Sequence, residues 1–158
     1  MSRTKDKSKS LDPRALPGHL ARRVQQLAVA LFVQEVGDIG LTPVQYSALQ
    51  TIANQPGIDQ KTLAATIGYD TSTIAGVIDR LEARGLVARQ VSPADRRAKL
   101  LTPTEEGSLA LTAVVPPMLR AQDRLLEPLS AAERKEFMRM MQVVIEANAE
   151  LSTIPTKE

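Results

Sequence analysis

Two short stretches, "QKTLAATIG" and "TSTIAGVIDRLEARG", constrain this chain more than any other feature. An aspartate heads each, Asp59 and Asp70, supplying the acceptor that the free N–H groups of a first helical turn need. Leu63, Ala64 and Ile67 recur at helical spacing in the first stretch; Ile74, Val77, Ile78 and Leu81 do so in the second. Gly68 suits the left-handed residue that ends a helix, and Gly85 terminates the next. Two helices this short, joined by about three residues including a glycine, form a helix-turn-helix pattern.

The flanks extend that pattern. "LVARQV" (86–91) alternates like a strand, Ser92 to Arg97 read as a turn, and "AKLLT" (98–102) returns. Upstream, Leu20, Val24, Leu27 and Leu31 mark a helix over 18–36, which "GDIG" (37–40) stops. Thr42-Pro43 is an N-cap with Pro at the first helical position, and Tyr46, Leu49, Ile52 and Ala53 form the buried stripe behind it. Downstream, Thr104, or Thr102 with Pro103 following, caps a helix bearing Leu109, Leu111, Val114, Val115, Met118, Leu119 and Leu125. Pro116-Pro117 inside it should produce a kink, because proline removes a backbone donor. Ser130 opens a last helix with Phe137, Met140, Met141, Val144 and Ile145 on one stripe.

The order predicts a mainly α fold with a small two- or three-stranded β wing. It is a winged helix-turn-helix plus a helical region. The division expected is a disordered basic tail at 1–15, a winged lobe at 41–104, and a helical dimerisation region at 16–40 and 105–151. The tail reading rests on "MSRTKDKSKS", which has four cationic residues and no apolar face.

The second helix of the pair, 70–85, is the expected recognition helix. Rotating away from its apolar stripe finds Ser72, Thr73, Gly76, Asp79 and Arg80, with Thr71 at the start. Short hydroxyls suit phosphates and base edges, and Arg80 suits a phosphate or the O6/N7 edge of guanine. A glycine inside a helix costs ~1 kcal/mol relative to alanine. Close approach to a groove gives Gly76 a reason; helix packing is the alternative. Arg96 and Arg97 fall at the tip of the wing, within reach of phosphates or the minor groove. Each feature alone has an ordinary reading, as a capping run or a solvated turn. Their order is what points to DNA.

Composition narrows the classes. Net charge is only +2, yet 84–99 carries Arg84, Arg89, Arg96, Arg97 and Lys99 against Asp95 alone. There is no Cys, which removes disulfides and thiolate metal sites and fits a cytoplasmic location. No run approaches the ~20 apolar residues of a membrane span. His19 is the single histidine, and no nucleophile elbow or glycine-rich phosphate loop is present. An enzyme, a cofactor and a metal are therefore not expected. The rival to DNA binding is a winged helix used as a protein–protein module, which has no need of a basic wing tip.

From about residue 16 to 150 the chain resembles the MarR family of bacterial transcription regulators. The most specific part is "LEARGLVARQVSPADRRAKLLTPTEEG" (81–107). Asp95, Arg97, Thr104 and Gly107 match the family's wing motif, while Pro103 stands where the family has Leu. The resemblance implies that Asp95 pairs with Arg97 to hold the wing, leaving Arg96 as the free tip residue. It also implies a homodimer built from the first and last helices, which carry more apolar surface than a small winged lobe can cover. A two-fold dimer on double-stranded DNA should read a pseudo-palindromic operator with half-sites about 10 bp apart. The family often carries an effector pocket where the dimerisation helices meet the DNA-binding lobe. His19 and Arg23 are the candidates for a carboxylate there, with Tyr46, Leu20, Leu27 and Met118 as the apolar wall. The expected effector is a small hydroxylated aromatic or pyridine carboxylate, releasing a repressor.

Overall fold

A computed structural model describes residues 11–153. Six α-helices and three short strands follow the order anticipated: α1 Pro17–Val36, α2 Pro43–Asn54, β1 Ile58–Asp59, α3 Gln60–Ile67, α4 Thr71–Ala83, β2 Val87–Val91, β3 Lys99–Pro103, α5 Glu105–Leu126 and α6 Ala131–Ala147. The caps explain most of these boundaries. Thr42 accepts from the Gln45 N–H, and the Gln45 side chain accepts from the Thr42 N–H, a reciprocal box at the start of α2. Asp59 and Asp70 accept from the Thr62 and Thr73 N–H groups, each at 2.8 Å. Ser130 and Glu133 repeat the reciprocal box at α6.

The expected hairpin is a three-stranded antiparallel sheet in the order β1-β3-β2. Val91 pairs with Lys99 at the wing end and Val87 with Pro103 at the base, while Ile58 pairs with Leu101 on the other side. Of the two caps open for α5, Thr104 is used. Its Oγ1 accepts from the Gly107 N–H at 3.0 Å and donates to the Gly85 carbonyl at 2.6 Å. Pro103 is the last residue of β3 rather than part of a cap. The helix after it runs unbroken from Glu105 to Leu126 with Pro116 and Pro117 inside, and Pro117 is buried.

One core joins α2, α3, α4 and β3. Leu49, Ile52, Leu63, Ile74, Ile78, Leu81 and Leu101 are fully enclosed there. It continues into the contact between α1 and α5 through Phe32, Val36, Leu111, Val114 and Ala121. Glu35 on α1 accepts from Arg120 at 3.0 Å and Arg124 at 2.8 Å on α5, and these cations hold its carboxyl below the ordinary range. By contrast α6 buries no residue, and Val143, Val144 and Ile145 on it are exposed. Leu20, Leu27 and Val33 on α1 are exposed as well.

Residues 1–10 of the expected tail lie outside the described residues. Residues 13–15, read as part of that tail, instead form a 3-10 turn, with Asp12 capping it and pairing with Arg14. A second 3-10 turn, Gly37–Ile39, links α1 to α2.

Among the described glycines, Gly107 is the one most closely approached by another part of the chain. A Cβ there would lie 2.1 Å from the Leu86 carbonyl oxygen, which is itself bonded to the Thr104 N–H. Neither backbone can yield without opening the junction of wing and α5. Gly107→Ala should therefore lower unfolding stability by at least the ~1–3 kcal/mol typical of overpacking. A urea midpoint equal to wild type would show that the junction is looser than described.

Candidate nucleic-acid interface

The apolar stripe of α4 determines what the helix shows to solvent. Ile74, Val77, Ile78 and Leu81 are buried, so Thr71, Ser72, Thr73, Asp79 and Arg80 are exposed on the far side, with Gly76 partly so. The Thr71 and Ser72 hydroxyls and the Arg80 guanidinium have no hydrogen-bond or ion-pair partner among the described residues. Thr73 is different. Its hydroxyl donates to Asp70 Oδ2 at 2.6 Å, and the bonds from Thr73 hold the Asp70 carboxyl below its usual range. Thr73 is thus committed to the cap and has only acceptor capacity left. Nothing lies within 4 Å of a Cβ built on Gly76. Packing within the chain does not require this glycine.

A cleft of about 610 Å³ separates α4 from the wing. Lys61 from α3, Thr71 from α4, and Arg97 and Lys99 from the wing line it, beside Asp79 and Arg89. Its lining interleaves the cations Lys61, Arg89, Arg97 and Lys99 with the carboxylates Asp59, Asp79 and Asp95, and Thr71 brings the N-terminal end of the recognition helix to it. The amide dipoles of that helix add positive potential there.

The wing is held differently from expectation. The Asp95 carboxylate accepts from the Arg97 backbone N–H at 2.9 Å, not from its guanidinium, which forms no ion pair among the described residues. Asp95 also supplies its carbonyl to the Ala98 N–H, and Ser92 Oγ accepts from Ala94 and Asp95 N–H groups. This is local turn chemistry of the kind aspartate favours. The implied Asp95–Arg97 side-chain pair is corrected accordingly, and Arg96 and Arg97 are both exposed, unpaired cations at the tip.

The ion pairs of the wing start from the middle of β2. Arg89 on β2, with its side chain 15% exposed, pairs with Asp79 and approaches Glu82 Oε2 at 3.0 Å, both on α4. The Glu82 contact is too bent for a hydrogen bond, so it acts through charge. This clamp ties wing to recognition helix, and it removes Asp79 from the set of free groups facing the groove. Sequence reading counted Arg89 only as part of a basic stretch. No periodic signal marks a pair formed across ten residues and two element types.

The six effector candidates are spread over two settings. Tyr46 packs on Phe32, with ring centroids 6.1 Å apart at 44°, and burial pushes its phenol up. Met118 also packs against the core. Leu20 and Leu27 are exposed along α1. His19 is partly buried, with Arg22 donating to its Nδ1 at 3.3 Å, while Arg23 donates to Gln26 at 3.0 Å. Among the described residues no hydrogen bond or ring contact joins one of the six to another. No group of three potential metal-binding side chains occurs among the described residues, and no single helix there is long and apolar enough to cross a membrane.

Fold and surface together define a winged helix-turn-helix protein. The sequence model of the MarR family matches residues 41–99. The transcriptional repressor NicR of Pseudomonas putida is 30% identical over 131 residues, covering 83% of this chain and 83% of its own. The structure of BpsR of Bordetella bronchiseptica, described in terms of regulation of its DNA binding by 6-hydroxynicotinic acid, superposes with a TM-score of 0.81. It is 31% identical, over 85% of this chain and 96% of that one. The transcriptional repressor CouR, bound to a 23-mer DNA duplex, superposes with a TM-score of 0.77 at 32% identity, over 82% of this chain and 92% of that one. The chain belongs to the MarR family, whose members among its relatives are transcriptional regulators.

The wing geometry separates two substitutions. Asp95→Ala removes the acceptor of the Arg97 N–H and should speed amide exchange at residue 97 by about two- to tenfold, given ~0.5–1.5 kcal/mol for such a bond. Arg97→Ala keeps the amide and should leave the turn closed. Equal opening in both variants would restore the side-chain pair.

Proposed function

We propose that the chain is a homodimeric transcriptional repressor that binds a pseudo-palindromic duplex and is released by a small aromatic carboxylate. The observation that carries the DNA-binding part is the concave face between α4 and the wing. Thr71 and Arg97 line it, and the unpartnered Ser72 hydroxyl and the exposed, unpaired cations Arg80 and Arg96 stand on the same two elements. Thr71, Ser72, Thr73, Gly76 and Arg80 form the groove-facing surface, and Arg96 and Arg97 contact phosphates or the minor groove. A DNA-bound relative supports the mode. Such a regulator works where the genome is, in the cytoplasm.

Two-fold association is the physical answer to the exposed apolar residues of α1 and α6. Leu20, Leu27, Val143, Val144 and Ile145 are all about half exposed or more in the single chain. An obligate interface buries upward of ~2,000 Å², and interleaved α1 and α6 helices from two chains offer that area. Residues 16–40 with 105–151 are then the dimerisation region, and 41–104 the DNA-binding lobe.

Selection of bound duplexes from a random pool tests the reading. Ser72→Ala and Arg80→Ala should each cost ~1–3 kcal/mol against the selected sequence and relax its preference over random DNA. Gly76→Ala should do the reverse to the fold. It should raise stability by up to ~1 kcal/mol while weakening DNA binding, because its Cβ meets open space in the chain and DNA in the complex. Unchanged specificity in all three variants would move the reading surface elsewhere.

The effector reading assigns His19 and Arg23 to the carboxylate, and Leu20, Leu27, Tyr46 and Met118 to the ring. Dimerisation would enclose the exposed α1 leucines beside the core-packed Tyr46. A coupling of ~1–3 kcal/mol corresponds to a 5- to 150-fold loss of DNA affinity on addition of the acid. The relative regulated by 6-hydroxynicotinic acid makes that compound the first to titrate, with simple hydroxybenzoates beside it. His19→Ala should retain DNA binding and lose the response. Release of DNA from His19→Ala at wild-type acid concentrations would remove His19 from the site.

A further inference from the structure

The 3-10 turn that follows α1 and the end of α4 are joined by one side chain. Past Val36 the chain passes Gly37 at φ +51° and Gly40 at φ +69°, both at positive φ and Gly40 left-handed, and then buries Leu41. Across this corner the direction changes by 71° between the segment Pro17–Ile39 and α2. Carbonyls at a helix end lack intrahelical donors. Here Arg84, the C-cap residue of α4, supplies them. Its Nη1 donates to the Gly40 carbonyl at 2.7 Å and its Nη2 to the Ile39 carbonyl at 3.2 Å. Two bonds from one planar guanidinium fix orientation as well as distance, which a point charge on a flexible stem does not.

We infer that Arg84 is a positioning residue that sets where the recognition helix sits relative to α1. Resting on the dimeric DNA-binding reading, it thereby sets the half-site spacing the protein accepts. The lever is long. Thr71, at the DNA end of α4, is about 20 Å from the latch, at ~1.5 Å of rise per residue. A small rotation at the corner therefore becomes a shift of ångströms at the groove, and two-fold symmetry doubles it between recognition helices. Leu41 and the packed Ile39 keep the corner attached to the core without Arg84, so its loss frees the angle rather than the fold.

The test uses the full chain, wild type against Arg84→Ala and Arg84→Lys. Duplexes selected by wild type are compared with versions carrying one base pair more or fewer at the centre. Wild type should discriminate among the three by tenfold or more. Arg84→Ala should compress that ratio at least threefold with an unchanged melting temperature, and Arg84→Lys should restore part of it. Because the chain has no cysteine, Gln25→Cys and Ala65→Cys, both exposed, place two spin labels in one protomer, diluted with unlabelled chain. Their distance distribution should be broader or displaced in Arg84→Ala. A wild-type spacing ratio in Arg84→Ala, or an unaltered distance distribution, overturns the inference. Failure of wild type to select any duplex rejects the DNA-binding reading, and with it the spacing role; the label distances then still decide whether Arg84 positions the lobe.

Discussion

Ile74, Ile78 and Leu81 have no solvent exposure, and their burial fixes the rotation of α4 about its own axis. At 100° per residue, a helix with that stripe locked inward has no choice about which residues face out. Leu49 and Ile52 from α2, Leu63 from α3 and Leu101 from β3 are enclosed in the same core cluster. Replacing one such side chain by alanine removes ~2–5 kcal/mol, a large share of a domain's net stability. Which residues α4 turns outward is thus held by the core, while Arg84 bears on where the helix sits relative to α1. The Asp70 cap and the Arg89 clamp refine the exposed surface by setting where the helix begins and where the wing leans.

Much of this architecture was legible because it is periodic or local. The stripes of α2, α3 and α4 follow from spacing, and the caps at Thr42, Asp59, Asp70 and Ser130 act within three residues. Thr104 was one of two possible caps because Pro103 obscured where β3 ends. What stayed illegible needed the third dimension. Arg84 reaches carbonyls 44 and 45 residues away, and Arg89 reaches across from a strand to a helix. Asp95 was assigned a side-chain partner when a backbone amide two residues on was nearer to hand. Short acidic side chains in tight turns favour that choice, since it orders fewer rotatable bonds than pairing with a long arginine does.

The division of labour between helices follows from what each leaves uncovered. The inner face of α1 is sealed on α5 by Phe32, Val36 and the Glu35 ion pairs, while its outer leucines are open. No residue of α6 is buried. A chain that keeps such surface can answer it with a second copy, and a ligand seated between α1 and the core would then act on the same seam. In the proposed function three things meet at α1: the second copy, the effector and, by way of Arg84 and the 3-10 turn that follows α1, the recognition helix.

The central claim is that the α4–wing face engages the DNA backbone as well as its bases. The salt dependence of binding to a selected duplex measures this most directly, because each neutralised phosphate releases counterions. The account predicts a linear fall of log K with log salt. Arg96→Ala should reduce the slope by about one for each wing that contacts a phosphate, hence by about two in a two-fold complex. A slope that is flat, or one unchanged by loss of Arg96 and Arg97 together, would contradict it.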